Sequence, residues 1–466
     1  MTGRGDSRRP RGLKLIHAVL YQPFFSSNNA YLSINHHVRK QIIRDKKATF
    51  HFATCLKDEH FGSMLEFEEA LARILAAIPP PAGEVVPLNR ACGRVLVEPV
   101  ASPIDLPPFD NSAMDGYALR SADIASASPA QPVRLRLSGR VAAGETFSGE
   151  VSPGTCVRLF TGSPLPRGAD AVVMQEDTRT EPKEPHQVLI LDTAKSGENV
   201  RLRGGDIKQG ATLAEAGKLL TVGHICLLAA TGRAEVEVGR QPIVGLLATG
   251  SELREAGQQL GPGQIYESNR SGLSALLERI GCVPKAFPLV ADTPDTVRAA
   301  LESALNECDA VITSGGVSVG EMDFVKGAFE AAGGELQFWR VAIKPGRPFV
   351  FGRCRGKLLF GLPGNPVSAI VTFVLLARAA LLRWQGVKDV TSPCNPGVLA
   401  EPLANPGQRR HFMRVKLDGS GKVFSAGLQA SHALSSLATA NGLVDVPPGT
   451  RLAAGETVKV IRWDGA

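Results

Sequence analysis

The chain has 466 residues and a mass of 49.3 kDa, with 44% apolar and 21% charged residues, the balance of an ordinary folded protein of roughly three domains. Its 49 glycines and 32 prolines supply many tight turns but too little bias for collagen or low complexity. The longest apolar run, Ala369 to Leu382, is broken by Arg378 and is shorter than the about 20 residues a bilayer span needs, so no membrane contact is expected.

The net charge of +7 is unevenly placed. Residues 1–63 hold 11 Lys/Arg against 4 Asp/Glu, and the remaining 403 residues hold 41 of each. A neutral body lacks the clustered positive charge of a phosphate-backbone footprint, so no nucleic-acid partner is expected. The basic segment 1–63 fits neither a secretory signal, because His17, Gln22 and Pro23 interrupt its apolar stretch, nor a well-formed transit peptide. It reads as a poorly structured N-terminal extension, with Met64 as a working start. Eight single cysteines with no CxxC pattern point to a reducing cytoplasmic compartment and to no structural zinc.

From Met64 the pattern is helical: Phe67, Leu71, Ile74, Leu75 and Ile78 share one face, and Pro79-Pro80-Pro81 ends the run. Between Val133 and Asp192 the period becomes two, with Gly and Pro turns, as in a β insertion. Between Pro242 and Trp384 apolar runs at 243–249, 310–314 and 358–362 alternate with helical stretches at Ser271 to Ile280 and Pro294 to Leu305, which predicts a mostly parallel sheet with crossover helices. Pro393 to Trp463 returns to short strands, a C-terminal β module.

In such a sheet ligands bind outside the carboxyl ends of the strands. Three loops qualify: ATGSEL (248–253), TSGGVSVGEMDF (313–324) and GLPGNPVSAIVTF (361–373). The glycines of the second and the Asn365-Pro366 helix start of the third leave N–H groups uncovered, which favours an anion. Glu252, Asp292 and Asp323 beside them make sense through a divalent cation bridging to phosphate oxygens. IKPGRP (343–348) adds Lys344 and Arg347 on one turn. Gly316-Val317-Ser318-Val319-Gly320 also fits the G-x-S-x-G nucleophile elbow, with His411 and His432 as downstream bases, so a serine hydrolase is an alternative.

The blocks FDNSAMDGYALRSADI (109–124), TGSPLPRGADAVVMQED (161–177), NVRLRGGDIKQG (199–210), TSGGVSVGEMD (313–323), IKPGRP (343–348) and GLPGNPVSA (361–369) closely resemble the MoeA family of molybdopterin molybdenumtransferases, to which the gephyrin E domain is related. The resemblance runs from about Met64 to the C-terminus. It implies a multi-domain α/β protein with β modules: a discontinuous linker and dimerisation subdomain (64–101 and 208–240), a β-rich insertion (102–207), a MogA-like α/β catalytic subdomain (241–387) and a C-terminal β subdomain (388–466).

The implied reaction takes adenylylated molybdopterin and molybdate, releases AMP in a step that depends on Mg²⁺, with Zn²⁺ as the alternative, and yields molybdenum cofactor. It also implies a homodimer with each site lined by both subunits, and transient contacts with the adenylylating enzyme and with molybdoenzyme chaperones. Carried over by motif, the catalytic acids are Asp115, Asp206, Glu252 and Asp323, and the metal acids Asp292, Asp323 and Glu252. Thr161, Ser318, Lys344, Arg347, Pro363, Pro366, Ser368, Arg414 and Ser431 are implied to bind pterin, AMP or molybdate. The chain departs from many relatives at Gly205 and Ser251, where they carry acids, and at Arg340, where they carry Lys. Some relatives use this domain for clustering, so a non-catalytic molybdopterin-binding scaffold is a further alternative.

Overall fold

The computed structural model describes residues 64–316 and 324–463. The expectations for residues 1–63, Ser318 and Asp323 lie outside the described residues.

Helix α1 (Phe67–Ala76) has Glu68 and Glu69 in its first turn and Arg73 in its last, the arrangement that suits the helix dipole. Its buried residues, Ala70 and Ile74, enter the core of the α/β block, and Phe67 meets Phe412 edge to face at 5.4 Å. The β elements that follow go elsewhere. Gly83–Pro87 pairs with Glu235–Gly239 and Val100–Ala101 with Thr212–Ala214, both antiparallel. Val86, Leu96, Leu213, Val236, Val238 and Leu228 of helix α2 (Val222–Ala230) share one small core. Helix α1, grouped by sequence with 64–101, buries Ala70 and Ile74 in the α/β core, while its Leu71 and Leu75 pack on the cluster of Val95, Ala379 and Leu382.

The insertion is a six-stranded sheet. Its strands run in the order Ala171–Met174, Gly116–Leu119, Thr155–Leu159, Val133–Val141, Gln187–Ile190, Thr178–Thr180. All pairs are antiparallel except Val133–Val141 with Thr155–Leu159. Alternation divides its side chains cleanly: Tyr117, Leu119 and Cys156 pack on one face, Ala118, Val157 and Leu159 on the other.

The α/β block has strands β1 (Ile243–Ala248), β2 (Val283–Ala286), β3 (Ala310–Ser314), β4 (Glu335–Arg340), β5 (Ile343–Lys344), β6 (Pro348–Cys354) and β7 (Lys357–Leu362). Its sheet runs β2-β1-β3-β7-β6-β4, parallel through the first four strands and antiparallel in the last two. Helices α3 (Asn269–Arg279), α4 (Pro294–Glu307) and α5 (Phe324–Ala331) make the crossovers. The chain leaves β1 to one side for β2 and returns on the other for β3, so the strand order reverses between β1 and β3, where such sheets open a binding crevice.

Helix α6 (Pro366–Thr372) continues through a π turn, Phe373–Ala377, into Arg378–Trp384. These 19 residues are long and apolar enough to cross a membrane, but 83% of their apolar window is buried inside the protein. The stretch is the core helix of the α/β block, packed on Phe349, Phe351 and Phe360 of the sheet.

Strands β8 (Cys394–Leu399), β9 (Arg410–Leu417), β10 (Lys422–Ser425), β11 (Gly442–Val446) and β12 (Thr457–Arg462) pair in a closed ring, β9-β10-β8-β12-β11 and back to β9. Met413, Val415, Val444 and Val446 fill this small barrel. Phe412 and Leu443, one residue out of phase, turn outward into the α/β core. Strand β5 pairs with β9 and joins the two units.

Candidate functional site

A cleft of about 710 Å³ opens at the carboxyl ends of β1, β3 and β7. Thr249 and Glu252 line it after β1, Asp292 beyond β2, Ser314, Gly315 and Gly316 after β3, and Pro363, Gly364, Asn365 and Pro366 after β7. The loops after β3 and β7 touch backbone to backbone: a Cβ on Gly364 would lie 3.6 Å from Gly315 Cα. Gly315 itself has φ +91°, and a Cβ there would sit 2.6 Å from the Thr249 carbonyl oxygen. Only glycine permits this approach.

Asn269 fastens the floor. Its Nδ2 donates to Ser314 Oγ at 2.6 Å and to the Gly364 carbonyl at 2.7 Å, while its Oδ1 is buried with no partner. Asn269 is the first residue of α3, after Ser268 at the N-cap position, and a lone Asn at a helix start carries no motif that would mark it in the sequence.

Three carboxylates face the cleft, and their surroundings separate them. Glu267 is bound by Arg270, Nε to Oε2 at 3.1 Å, in a cluster with Glu255. Glu252 and Asp292 make no ion pair with a cation among the described residues. Burial, and then the charge of Glu252, raise the Asp292 carboxyl above its ordinary range. Two neighbouring acids without a counter-charge are unfavourable unless a cation joins them. No cluster of three His, Cys, Asp or Glu that could hold a metal occurs among the described residues. Two oxygen ligands fit Mg²⁺, which takes one or two carboxylates and completes its shell with phosphate and water, better than Zn²⁺, which prefers a set of His and Cys. Ser251 Oγ accepts from the Asp292 amide at 3.3 Å and so braces that residue.

The cations implied to bind the oxyanion are not part of this lining. Lys344 at the end of β5 and Arg347 on the turn that follows are exposed, and Ser368 is buried in α6. None of them lines the cleft, although Pro348 of the same turn does. Arg414 is 0% exposed and has other partners than an anion: Nε donates to Ser436 Oγ at 2.7 Å, and Nη2 to the carbonyls of Leu428 at 2.8 Å and Ala430 at 3.2 Å. Its Nη1 is buried without a partner. Gln429 brackets the Arg414 backbone, accepting from its amide and donating to its carbonyl, both at 2.9 Å. The Ser431 carbonyl accepts from the Val367 amide at 3.2 Å. One of the helix-start N–H groups expected to face an anion is therefore already satisfied. Together these bonds hold the segment 428–432 of the barrel against the α/β block and bring His432 into the cleft lining.

His411, the other candidate base of the hydrolase reading, does not line the cleft. It is 3% exposed beside Lys344 on the paired strand, with Nε2 unpartnered. Burial first, then the charges of Lys344, Arg414 and Arg409, push its imidazole down to about 4.

Asp115, Thr161 and Asp206 sit in the insertion, which contributes no residue to the cleft. Asp115 accepts from the Thr161 amide and from its hydroxyl, both at 2.7 Å, and these bonds hold its carboxyl below the usual range. Asp206 is exposed on the RGGD turn.

A reversing α/β sheet with an acid-lined cleft, a β insertion, a two-segment linker and a terminal barrel define a multi-domain α/β protein built around a cleft at the strand-order reversal. Residues 65–232 match the MoeA N-terminal region (domain I and II), 245–383 a probable molybdopterin binding domain, and 396–463 the MoeA C-terminal region (domain IV). The chain is 38% identical over 404 residues to the molybdopterin molybdenumtransferase of Haemophilus influenzae, covering 85% of this chain and 98% of that one. It is 39% identical over 409 residues to molybdopterin molybdenumtransferase 2 of Mycobacterium tuberculosis, covering 86% and 99%. The crystal structure of the molybdopterin biosynthesis moeA protein from Pyrococcus horikoshii OT3 superposes with a TM-score of 0.74 at 30% identity, covering 86% of this chain and all of that one. The chain belongs to the MoeA family of molybdopterin molybdenumtransferases. These matches support neither the hydrolase nor the scaffold alternative.

Proposed function

We propose that the chain performs the transfer its relatives are named for, a late step of molybdenum cofactor biosynthesis: it consumes adenylylated molybdopterin and molybdate and releases AMP. The observation that carries this reading is the cleft where the strand order reverses, lined by two unpaired acids, within the segment matched by a molybdopterin binding domain. Glu252 and Asp292, with Asp323, would hold Mg²⁺, which supplies charge neutralisation for the phosphate oxygens. Asn269 and the glycine loops shape the floor, and Pro363 and Pro366 fix the wall on the α6 side. The buried, unpartnered Nη1 of Arg414 and the exposed cations Lys344 and Arg347 favour an oxyanion such as molybdate close to Ser368 and Ser431.

The enzyme works as a homodimer in which the insertion of one subunit brings Asp115, Thr161 and Asp206 to the cleft of the other. This is supported by the absence of any insertion residue from the cleft of the same chain. The compartment is the cytoplasm, a reading supported by the seven described cysteines, all free thiols. The test is purified protein given adenylylated molybdopterin, molybdate and Mg²⁺. AMP release with reconstitution of an apo-molybdoenzyme is expected; no AMP above a protein-free control refutes the reading.

A further inference from the structure

The insertion carries a cationic feature that the reaction above does not use. Arg140 and Arg158 are direct neighbours on adjacent strands, and Arg158 in turn faces Tyr117. The three side chains therefore form a row on one face of the sheet. Both guanidinium groups lie over the Phe160 ring, at 5.2 Å for Arg140 and 5.4 Å for Arg158, and Arg158 also lies 4.8 Å from the Tyr117 ring centroid. Gln175 accepts from Arg158, and its own amide donates to the Asp115 carbonyl. Thr161 follows Phe160 directly, so the row ends at the Asp115–Thr161 pair.

Like charges opposite one another on neighbouring strands destabilise a sheet unless something compensates. Two other arginines of the same subdomain have a carboxylate partner, Arg134 with Glu184 and Arg203 with Asp105, and those without one, such as Arg136, do not face a second arginine on the neighbouring strand. No carboxylate forms an ion pair with Arg140 or Arg158 among the described residues; the charge of Arg158 reaches the Asp115 carboxylate only as a minor influence, after the Thr161 hydrogen bonds. The aromatic rings hold the two planar forks side by side, Arg158 giving one of its N–H groups to Gln175 and neither fork an ion-pair partner among the described residues, a geometry suited to paired phosphate oxygens.

We propose that Arg140 and Arg158, held by Phe160 and Tyr117, form a clamp for the diphosphate of a nucleotide substrate beside Asp115 and Thr161. The clamp rests on the reading of the chain as an enzyme that consumes adenylylated molybdopterin, whose pterin and adenosine are joined by a diphosphate. It assigns the insertion the task of gripping that diphosphate, which complements the acid-lined cleft.

The test uses the full chain and ADP, a diphosphate nucleotide that carries no pterin, so binding is read without turnover. Calorimetry is run on the wild type, on Arg140→Met/Arg158→Met, on the single Arg→Lys variants and on Arg136→Ala, an exposed arginine of the same strand. Melting curves accompany each protein. The double substitution is expected to weaken ADP binding roughly tenfold or more, and each Lys variant several-fold, because a point charge loses the paired geometry. Arg136→Ala stays at the wild-type value. The KM for adenylylated molybdopterin should rise in the same order, with kcat less affected. Wild-type affinity and KM in a folded double variant overturn the clamp, as does wild-type ADP affinity in the Lys variants should the double variant fail to fold. They do so even if the wild type releases AMP normally. A wild type that binds ADP through these arginines but releases no AMP leaves the clamp standing and removes the enzymatic reading.

Discussion

Replacing Arg414 by Met tests how the barrel delivers its share of the site. The substitution keeps much of the side-chain volume and removes the donors to Ser436 Oγ, Leu428 O and Ala430 O. Three hydrogen bonds from a charged donor, at about 2 kcal/mol each, amount to roughly 6 kcal/mol. Against this stands the cost of burying a guanidinium, visible in its pKa, which burial lowers to about 10. That shift corresponds to about 3 kcal/mol, so the net loss of stability is about 3 kcal/mol. The Ser436 hydroxyl still donates to the Ala433 carbonyl at 2.6 Å and the Ala430 carbonyl still accepts from the Ala433 amide at 3.3 Å, whereas the Leu428 carbonyl loses its Arg414 donor. Urea unfolding reads the global loss, and hydrogen exchange at 428–434 reads the local one. The Val367 amide, bonded to Ser431, should exchange faster in the variant. A stability change below about 1 kcal/mol with unchanged protection at Val367 would refute Arg414 as the brace of this segment.

Three further outcomes are expected. The folded pKa of His411, about 4, lies below its unfolded value near 6.5, so its contribution is fully present above pH 6.5 and is lost as pH falls toward 4. About 2 kcal/mol should disappear between pH 7 and pH 5, and His411→Gln should flatten the curve by that amount; parallel curves contradict it. Asp292→Asn should weaken Mg²⁺ activation roughly tenfold at a fixed substrate level while leaving the urea midpoint near wild type, and an unchanged Mg²⁺ dependence counts against Asp292 as a ligand. Gly346 has φ +106°, and a Cβ there would lie 2.2 Å from Thr372 Cγ2. Gly346→Ala should cost about 2 kcal/mol or more in urea, and a change within about 0.5 kcal/mol contradicts the close packing of the turn on α6.

The α/β block could be read from the sequence because parallel strands covered on both faces appear as unbroken apolar runs ended by Gly or Pro, as at Ile243–Ala248 and Ala310–Ser314. The barrel could not, since the closing pair of β9 with β11 depends on long-range register that no local pattern carries. The stripe of α1 announced burial but not its destination, and only the structure sends it to Phe412. In the site, the glycine turns and the acids of the cleft were legible as loop motifs. The separation of Glu267 from Glu252 and Asp292 was not, because it depends on Arg270 reaching back from α3. Arg140 and Arg158 read as the polar phase of a strand; that both share one ring with no acid between them is visible only in three dimensions.

The central claim, that the acids of one subunit complete the cleft of the other, is tested most directly by mixing two inactive variants. Asp115→Asn removes the insertion acid and Glu252→Gln the cleft acid, so each homodimer should release AMP far below the wild-type rate. Co-refolded in equal amounts, half of the dimers are mixed, and each mixed dimer has one cleft with both acids intact. Activity should then return to about a quarter of wild type. A mixture no more active than the two variants alone would mean that both acids must come from the same chain, and the shared-site account would be wrong.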